Sequence, residues 1–270
     1  MKKIKTGIIG CGTIGAELAK ACLGELKDSV ELVGICDKDE KKASALKKAL
    51  KNKVGVMNAG LLMERSDLIV EAASASASEG ILKSAIKSKK DIMIMSIGGL
   101  IGNEDLLRKA CAAGIKVYLP SGAVCGIDGL KSASAGRVDS VTLTTRKPVK
   151  GLEGAPYIKD KNIDLAAIKG EMVVFDGSAR DAVKGFPQNV NVCACLSLAG
   201  IGADRTRVRV ITSPDYTKNT HEVEITGDFG RISTKTENVP SPSNPKTSRL
   251  AALSAIATLK GAAGSIRVGT

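Results

Sequence analysis

The feature that most constrains this chain is the stretch IKTGIIGCGTIGAELAKA, residues 4–21. Residues 4–9 form a short apolar run that ends in Gly10-Cys11-Gly12-Thr13-Ile14-Gly15, and a pattern of helical period follows at once. The glycines allow a tight strand-to-helix turn and close approach of backbone to a pyrophosphate, whose charge faces the helix N-terminus. A glycine turn with no nucleotide has the same spacing, so context has to decide. Asp37 supplies that context. It stands 22 residues after Gly15, at the end of a second apolar run. A carboxylate there accepts hydrogen bonds from the adenosine ribose hydroxyls, which favours NAD. Lys38 beside it tolerates a 2′-phosphate and leaves NADP open.

Apolar runs at 4–9, 31–36, 68–71, 91–95 and 116–119 alternate with helical patterns in AELAKACLGEL, KKASALKKALK, SEGILKSAIKSK and NEDLLRKACAAG. The alternation predicts βαβ units and an α/β fold, a Rossmann-type doubly wound parallel sheet covered on both faces. Asn103 is expected to cap the fourth helix and Gly114 to end it. Ligands bind beyond the carboxyl ends of such strands. IVEAASASA (69–77) and IMSIGGL (94–100) turn small there, so Ala73 and Ser74 join Gly10, Gly12, Thr13, Ile14, Gly15 and Asp37 as candidate cofactor contacts.

After Gly122 the pattern changes. VDSVTLTTRKP, EMVVFDG, RTRVRVIT, THEVEITGDF and GRISTKTE read as strands, with helices at roughly 177–185 and 189–199. This predicts a second, α+β domain built on a mostly antiparallel sheet. ENVPSPSNPKTS, with three prolines, reads as a loop or linker, and SRLAALSAIATLKGAAG as a helix that returns to the first domain. The expected division is 1–122 together with 241–270, and 123–240, with the site in the cleft between them.

Composition narrows the partners. The net charge is +12, but the lysines are spread in pairs such as Lys41-Lys42, Lys47-Lys48 and Lys89-Lys90, as on solvated helix faces. Three Phe, three Tyr and no Trp supply few stacking platforms, so nucleic acid is not expected. No uncharged apolar stretch reaches the roughly 18 residues of a membrane span. The basic, then apolar, N-terminus imitates a signal peptide, but Glu17 and Lys20 interrupt it. Seven cysteines without a CxxC pair, and a single histidine, predict no metal site and fit a reducing cytoplasm.

That histidine is His221. In THEVEITGDF, strict alternation puts it on one face with Val223 and Ile225, while Glu222 and Glu224 point the other way. It leads the apolar face of a strand near its start. A partly buried imidazole at a sheet's edge serves either as a structural residue or as a base near neutral pH.

GIIGCGTIG, DLIVEAASASA, IMSIGGL, LPSGAVCGIDGL, TTRKP, FPQNVNVCACLSLAG and NTHEVEITGDFG follow one another along almost the whole chain. In this the chain resembles the L-aspartate dehydrogenase family; PSGAVCGIDGL and FPQNVNV are the most specific of these motifs. The resemblance implies an NAD(P)-dependent enzyme that interconverts L-aspartate and iminoaspartate, or oxaloacetate plus ammonia after hydrolysis. Its implied role is supply of iminoaspartate for NAD biosynthesis. It also implies cofactor positions at Ala123 and Asn189 and the catalytic position at His221. A dicarboxylate needs cations, for which Arg146, Lys147 and Lys184 are candidates; Ser121 and Asn191 are candidate hydrogen-bond donors to it. A homodimer through the open sheet of the second domain is expected from the family and from the sheet's need for cover. Two other readings stay open: another amino-acid or semialdehyde dehydrogenase of this architecture (homoserine-dehydrogenase-like), and a non-catalytic dinucleotide-binding redox sensor.

Overall fold

The computed structural model describes residues 2–187, 190–242 and 244–270. Its first unit is Met1–Pro120 with Ala251–Val268. The first unit comprises β1 (Ile4–Ile9), α1 (Thr13–Leu23), β2 (Val30–Cys36), α2 (Glu40–Ala49), α3 (Ala59–Arg65), β3 (Leu68–Glu71), α4 (Ala75–Ser88), β4 (Asp91–Ile94), α5 (Glu104–Ala112) and β5 (Val117–Tyr118). The strands pair in parallel in the order β2-β1-β3-β4-β5. The order reverses at β1, which makes the carboxyl ends of β1 and β3 the switch point where such sheets take ligands. Both faces are covered, so the central strands are buried on both sides rather than alternating; Ile69, Val70, Ile92 and Met93 are fully buried.

One local expectation fails in this unit, and one helix lies outside the sequence reading. The short helix α3 carries too few residues for a helical period to show, yet Asn58 caps it by accepting the Leu61 N–H at 2.9 Å. Asn103 occupies the N-cap position of α5 without capping it. At ψ 27 its backbone is outside the extended region that aims a cap at the helix amides. Its Nδ2 donates instead to the Gly99 carbonyl at 3.3 Å. Gly114, at φ +72, does end the same helix.

The second unit is Ser121–Leu250 with Gly269–Thr270. It comprises α6 (Ile127–Ala133), β6 (Val138–Pro148), α7 (Pro156–Asp160), β7 (Met172–Ser178), α8 (Ala179–Gly185), α9 (Asn191–Ala199), β8 (Thr206–Ser213), β9 (Asn219–Gly227), β10 (Gly230–Asn238), β11 (Pro240–Ser241) and β12 (Asn244–Ser248). Its sheet runs β10-β9-β6-β8-β7, with β6 and β8 parallel and the other pairs antiparallel. Leu143, Val208 and Val210 of the sheet meet Ala182 of α8 and Cys193 of α9 around a cavity of about 10 Å³, about one water in size. The proline-rich segment read as a loop pairs with itself, Pro240 opposite Ser248. Pro240 is tolerated because a two-stranded ladder has no interior strand that needs its missing N–H.

Helix α10 (Arg249–Ala263) follows. Its Ala255 and Leu259 are buried in the first unit's core with Leu18, Cys22, Leu46 and Met93. Among the described residues, no helix is long and apolar enough to cross a membrane.

Candidate active site

In the first unit the three glycines of the loop do three different things. Gly10 holds φ +107, and a Cβ there would lie 2.3 Å from the Ala72 carbonyl oxygen. A Cβ on Gly15 would lie 1.9 Å from the Gly10 oxygen. A Cβ on Gly12 would meet nothing within 4 Å. Two glycines are thus demanded by the protein's own packing, and the middle one leaves an open approach to the backbone. The first bond of α1 runs from Ala16 N–H to the Gly12 oxygen, so the amides of Thr13 and Ile14 precede the helix's own ladder.

Asp37 is tied to this loop. Its Oδ2 accepts the Cys11 N–H at 2.7 Å and its Oδ1 the Asp39 N–H at 2.9 Å. Gly10 N–H donates to the Cys36 carbonyl at 2.7 Å, and Ala72 N–H to Ile9 at 2.8 Å. Gly10, Gly12, Thr13, Ile14, Gly15, Asp37, Ala73 and Ser74 are therefore brought to one sheet edge, with Ser74 at the N-cap of α4. Beside them a groove of about 460 Å³ is lined by Ile9, Ala59, Gly60, Ala77, Gly80 and Ile81. Burial first, and then Asp37, pushes the Cys11 thiol up to about 12, so it stays protonated at the loop. A helix N-terminus for a pyrophosphate, an acid for a ribose and an apolar groove for a base fit a dinucleotide.

In the second unit the alternation expected around His221 holds. Val223 and Ile225 are fully buried, and His221 is 6% exposed. Cross-strand register sets Thr145 of β6 opposite His221, and Thr145 Oγ1 lies 3.0 Å from its Nδ1. Lys147, two residues along the same face, is also 6% exposed. The expectation of a partly buried imidazole at the sheet's edge is corrected here: His221 is buried on β9, an interior strand between β10 and β6. Burial, and then the Lys147 charge, pushes His221 down to about 3, and burial brings Lys147 down to about 8. Both shifts favour the uncharged forms of the two groups.

The other candidates divide. Arg146 is Lys147's chain neighbour, so the pleat turns it to the opposite face, where it pairs with Glu222 at 2.5 Å. Lys184 is exposed on α8, 3.8 Å from Asp181. Arg146 does not share His221's face, and Lys184 points to solvent. Ala123 is buried, and its carbonyl accepts Asn238 Nδ2 at 3.1 Å, fixing the loop against the end of β10. Thr236 of β10 is paired with His221, so this loop lies along the strand next to the histidine's own. Ser121 is half-buried, and Asn191 is exposed at the start of α9. Asn189 lies outside the described residues.

Sequence reasoning missed Thr145, Asn238 and Glu71. Alternation in TLTTRKP, applied as it was to THEVEITG, would have put Thr145 with Lys147 and apart from Arg146. The glycine turn, the acid tied to it and the switch point of the parallel sheet define the first unit as a dinucleotide-binding α/β domain.

Comparison with known proteins narrows the class. Residues 128–262 match the family model for aspartate dehydrogenase, C-terminal, and residues 10–120 that for homoserine dehydrogenase, NAD binding domain. The chain is 48% identical to the L-aspartate dehydrogenase of Methanococcoides burtonii over 99% of its own length and 100% of the relative's. It is likewise 48% identical to that of Methanosarcina acetivorans, over 99% and 100%. The crystal structure of aspartate dehydrogenase from Thermotoga maritima matches with a TM-score of 0.77 at 26% identity, covering 99% of this chain and 100% of that one. The chain belongs to the L-aspartate dehydrogenase family.

Proposed function

We propose that this chain oxidises L-aspartate to iminoaspartate, or runs the reverse reductive amination of oxaloacetate with ammonia, and that it supplies iminoaspartate for NAD biosynthesis. The observation that carries the reading is His221, neutral and oriented by Thr145, on one sheet face with Lys147. When bound, the nicotinamide ring supplies the redox chemistry by taking hydride from the substrate Cα. The protein's share is orientation and proton transfer. With Nδ1–H donated to Thr145, the Nε2 lone pair is left to accept the proton released from the substrate nitrogen. Lys147, as the cation on that face, holds a substrate carboxylate. An anion beside these two groups raises both of their pKa values, so the substrate itself brings His221 back toward the range of a working base. Ser121 and Asn191 complete the proposed substrate contacts, and Ala123 and Asn189 are proposed cofactor positions.

In the first unit, the groove beside Ile9 would take the adenine ring, and Thr13, Ile14, Ala73 and Ser74 would line the phosphate path. Asp37 selects NAD over NADP. Two of its roughly four lone-pair sites are used by Cys11 and Asp39, and the rest suit ribose hydroxyls, whereas a 2′-phosphate meets a fixed negative charge. Asp37→Ser is expected to lower kcat/KM for NADH by about 10-fold or more, the worth of a hydrogen bond to a charged group, and to spare NADPH. Steady-state assays with both cofactors read this; an unchanged ratio rejects the assignment. We place the enzyme in the cytoplasm, as a homodimer through the sheet face that bears Arg146, Glu222 and Arg209, readable by light scattering. The deciding experiment for the function is NADH consumption with oxaloacetate and ammonia. Bound NADH without turnover favours the redox-sensor reading.

A further inference from the structure

Glu71 is the last residue of β3 and has no exposed surface. A buried carboxylate costs several kcal/mol in lost hydration unless something compensates. Among the described residues, no lysine or arginine lies within ion-pair distance of it. Compensation comes entirely from donors on two loops. Oε1 accepts the Ala73 N–H at 2.8 Å and the Ser96 hydroxyl at 2.9 Å, and Oε2 accepts the Ser96 N–H at 2.9 Å. Burial raises the Glu71 pKa, and these hydrogen bonds draw it back toward the ionised form.

The placement is as informative as the bonding. The Ala73 loop leads into α4, and the Ser96 loop leads into the turn at Ile97–Leu100. That turn is seated on the first residues of α4: a Cβ on Gly99 would lie 2.2 Å from the Ala75 oxygen. The Ala73 loop is seated on the glycine turn, since a Cβ on Gly10 would lie 2.7 Å from Ala73 N. One carboxylate therefore joins the loops after two neighbouring strands, at the edge of the sheet where the cofactor is proposed to lie. An apolar side chain of this size would fill the space with less desolvation, but it could not fix three donors at once.

We propose that Glu71 is a positioning residue for the dinucleotide: its carboxylate locks the loops after β3 and β4 in the binding geometry and so sets cofactor affinity. The inference rests on the dinucleotide reading of the first unit. Glutamine keeps the volume but points an amide N–H at one of three donors, so the lock cannot close. In Glu71→Gln the Kd for NADH, read by fluorescence titration, is expected to rise about 10-fold or more, as for lost hydrogen bonds to a charged group. The loss falls on KM for NADH rather than on kcat at saturation. Hydrogen exchange over 72–76 and 95–99 quickens in the cofactor-free protein. Ser96→Ala removes one donor and gives a smaller rise in Kd, and the double variant binds no worse than Glu71→Gln, because both act through one link.

If Glu71→Gln does not fold, Ser96→Ala decides: NADH affinity and exchange equal to wild type overturn the proposal. Wild-type binding with an equal Kd in a folded Glu71→Gln also overturns it, and leaves the dinucleotide reading standing. A wild type that binds neither NADH nor NADPH removes that reading, and this proposal with it.

Discussion

Replacing His221 by alanine lowers kcat for the aspartate reaction by about 100-fold or more, the usual contribution of a positioned acid–base group. The imidazole is buried, its Nδ1 engages Thr145, and Lys147 shares its face, so the ring is fixed and neutral before substrate arrives. In the proposed role, removing it deletes the proton acceptor, and His221 is no part of the proposed dinucleotide cradle of the first unit. NADH affinity therefore stays close to wild type. Because His221→Ala opens a cavity under β9, His221→Asn is the better partner variant. It can keep a hydrogen bond to Thr145 while losing the atom at the Nε2 position. Both variants lose turnover if the assignment is right, and a kcat within about 10-fold of wild type in either removes His221 from the proton path.

The pH profile tests the neighbour. Burial brings Lys147 down to about 8, so its charged form, the one proposed to hold a carboxylate, is present below that value and disappears above it. A fall in kcat/KM above about pH 8 that is present in wild type and absent in Lys147→Met assigns that limb to the lysine. A free-imidazole limb near pH 6.5 is not expected, since His221 stays neutral down to about 3 in the free protein. Persistence of the alkaline limb in Lys147→Met would show that another group carries it.

The second large effect separates the glycines. Gly15→Ala puts a Cβ 1.9 Å from the Gly10 oxygen, and backbone cannot step aside as a side-chain tip can. The strain is on the order of 3 kcal/mol or more, enough to lower Tm by several degrees and to distort the turn that binds the cofactor. Gly12→Ala is the contrasting case. Gly12 has φ −75, a value that alanine adopts freely, and no protein atom stands near its new Cβ. Its Tm stays within about 2 °C of wild type. Its NADH affinity is nevertheless lost, because the methyl occupies the approach of the pyrophosphate. Thermal melts and NADH titrations on the two variants read both quantities. A Gly12→Ala protein that binds NADH normally would move the phosphate away from this loop.

Most of the first unit was legible because its signals are local. An apolar run, a glycine turn and a helical period mark β1 and α1 within 20 residues, and the same punctuation repeats along the sheet. The short helices α3, α6 and α7, of 7, 7 and 5 residues, escaped the sequence reading, while α8, also of 7, did not. In the second unit, β6 and β9 were legible from alternation and composition. The pairing of the proline-rich segment into β11 and β12 was not, since prolines argue for a loop unless the ladder has only two strands.

The sequence by itself determined the chemistry on offer: a glycine turn with an acid after the second strand, a single histidine on an apolar strand face, and a chain-long likeness to one family. These follow from neighbours in the chain and from period-2 alternation, which need no partner strand. Only the tertiary structure decided what surrounds those groups. Thr145 meets His221 across 76 residues, and Glu71 meets Ser96 across 25. Such contacts depend on strand order and register. The depressed titration of His221 and Lys147 likewise comes from burial, a property of the packed sheet and not of any segment read alone.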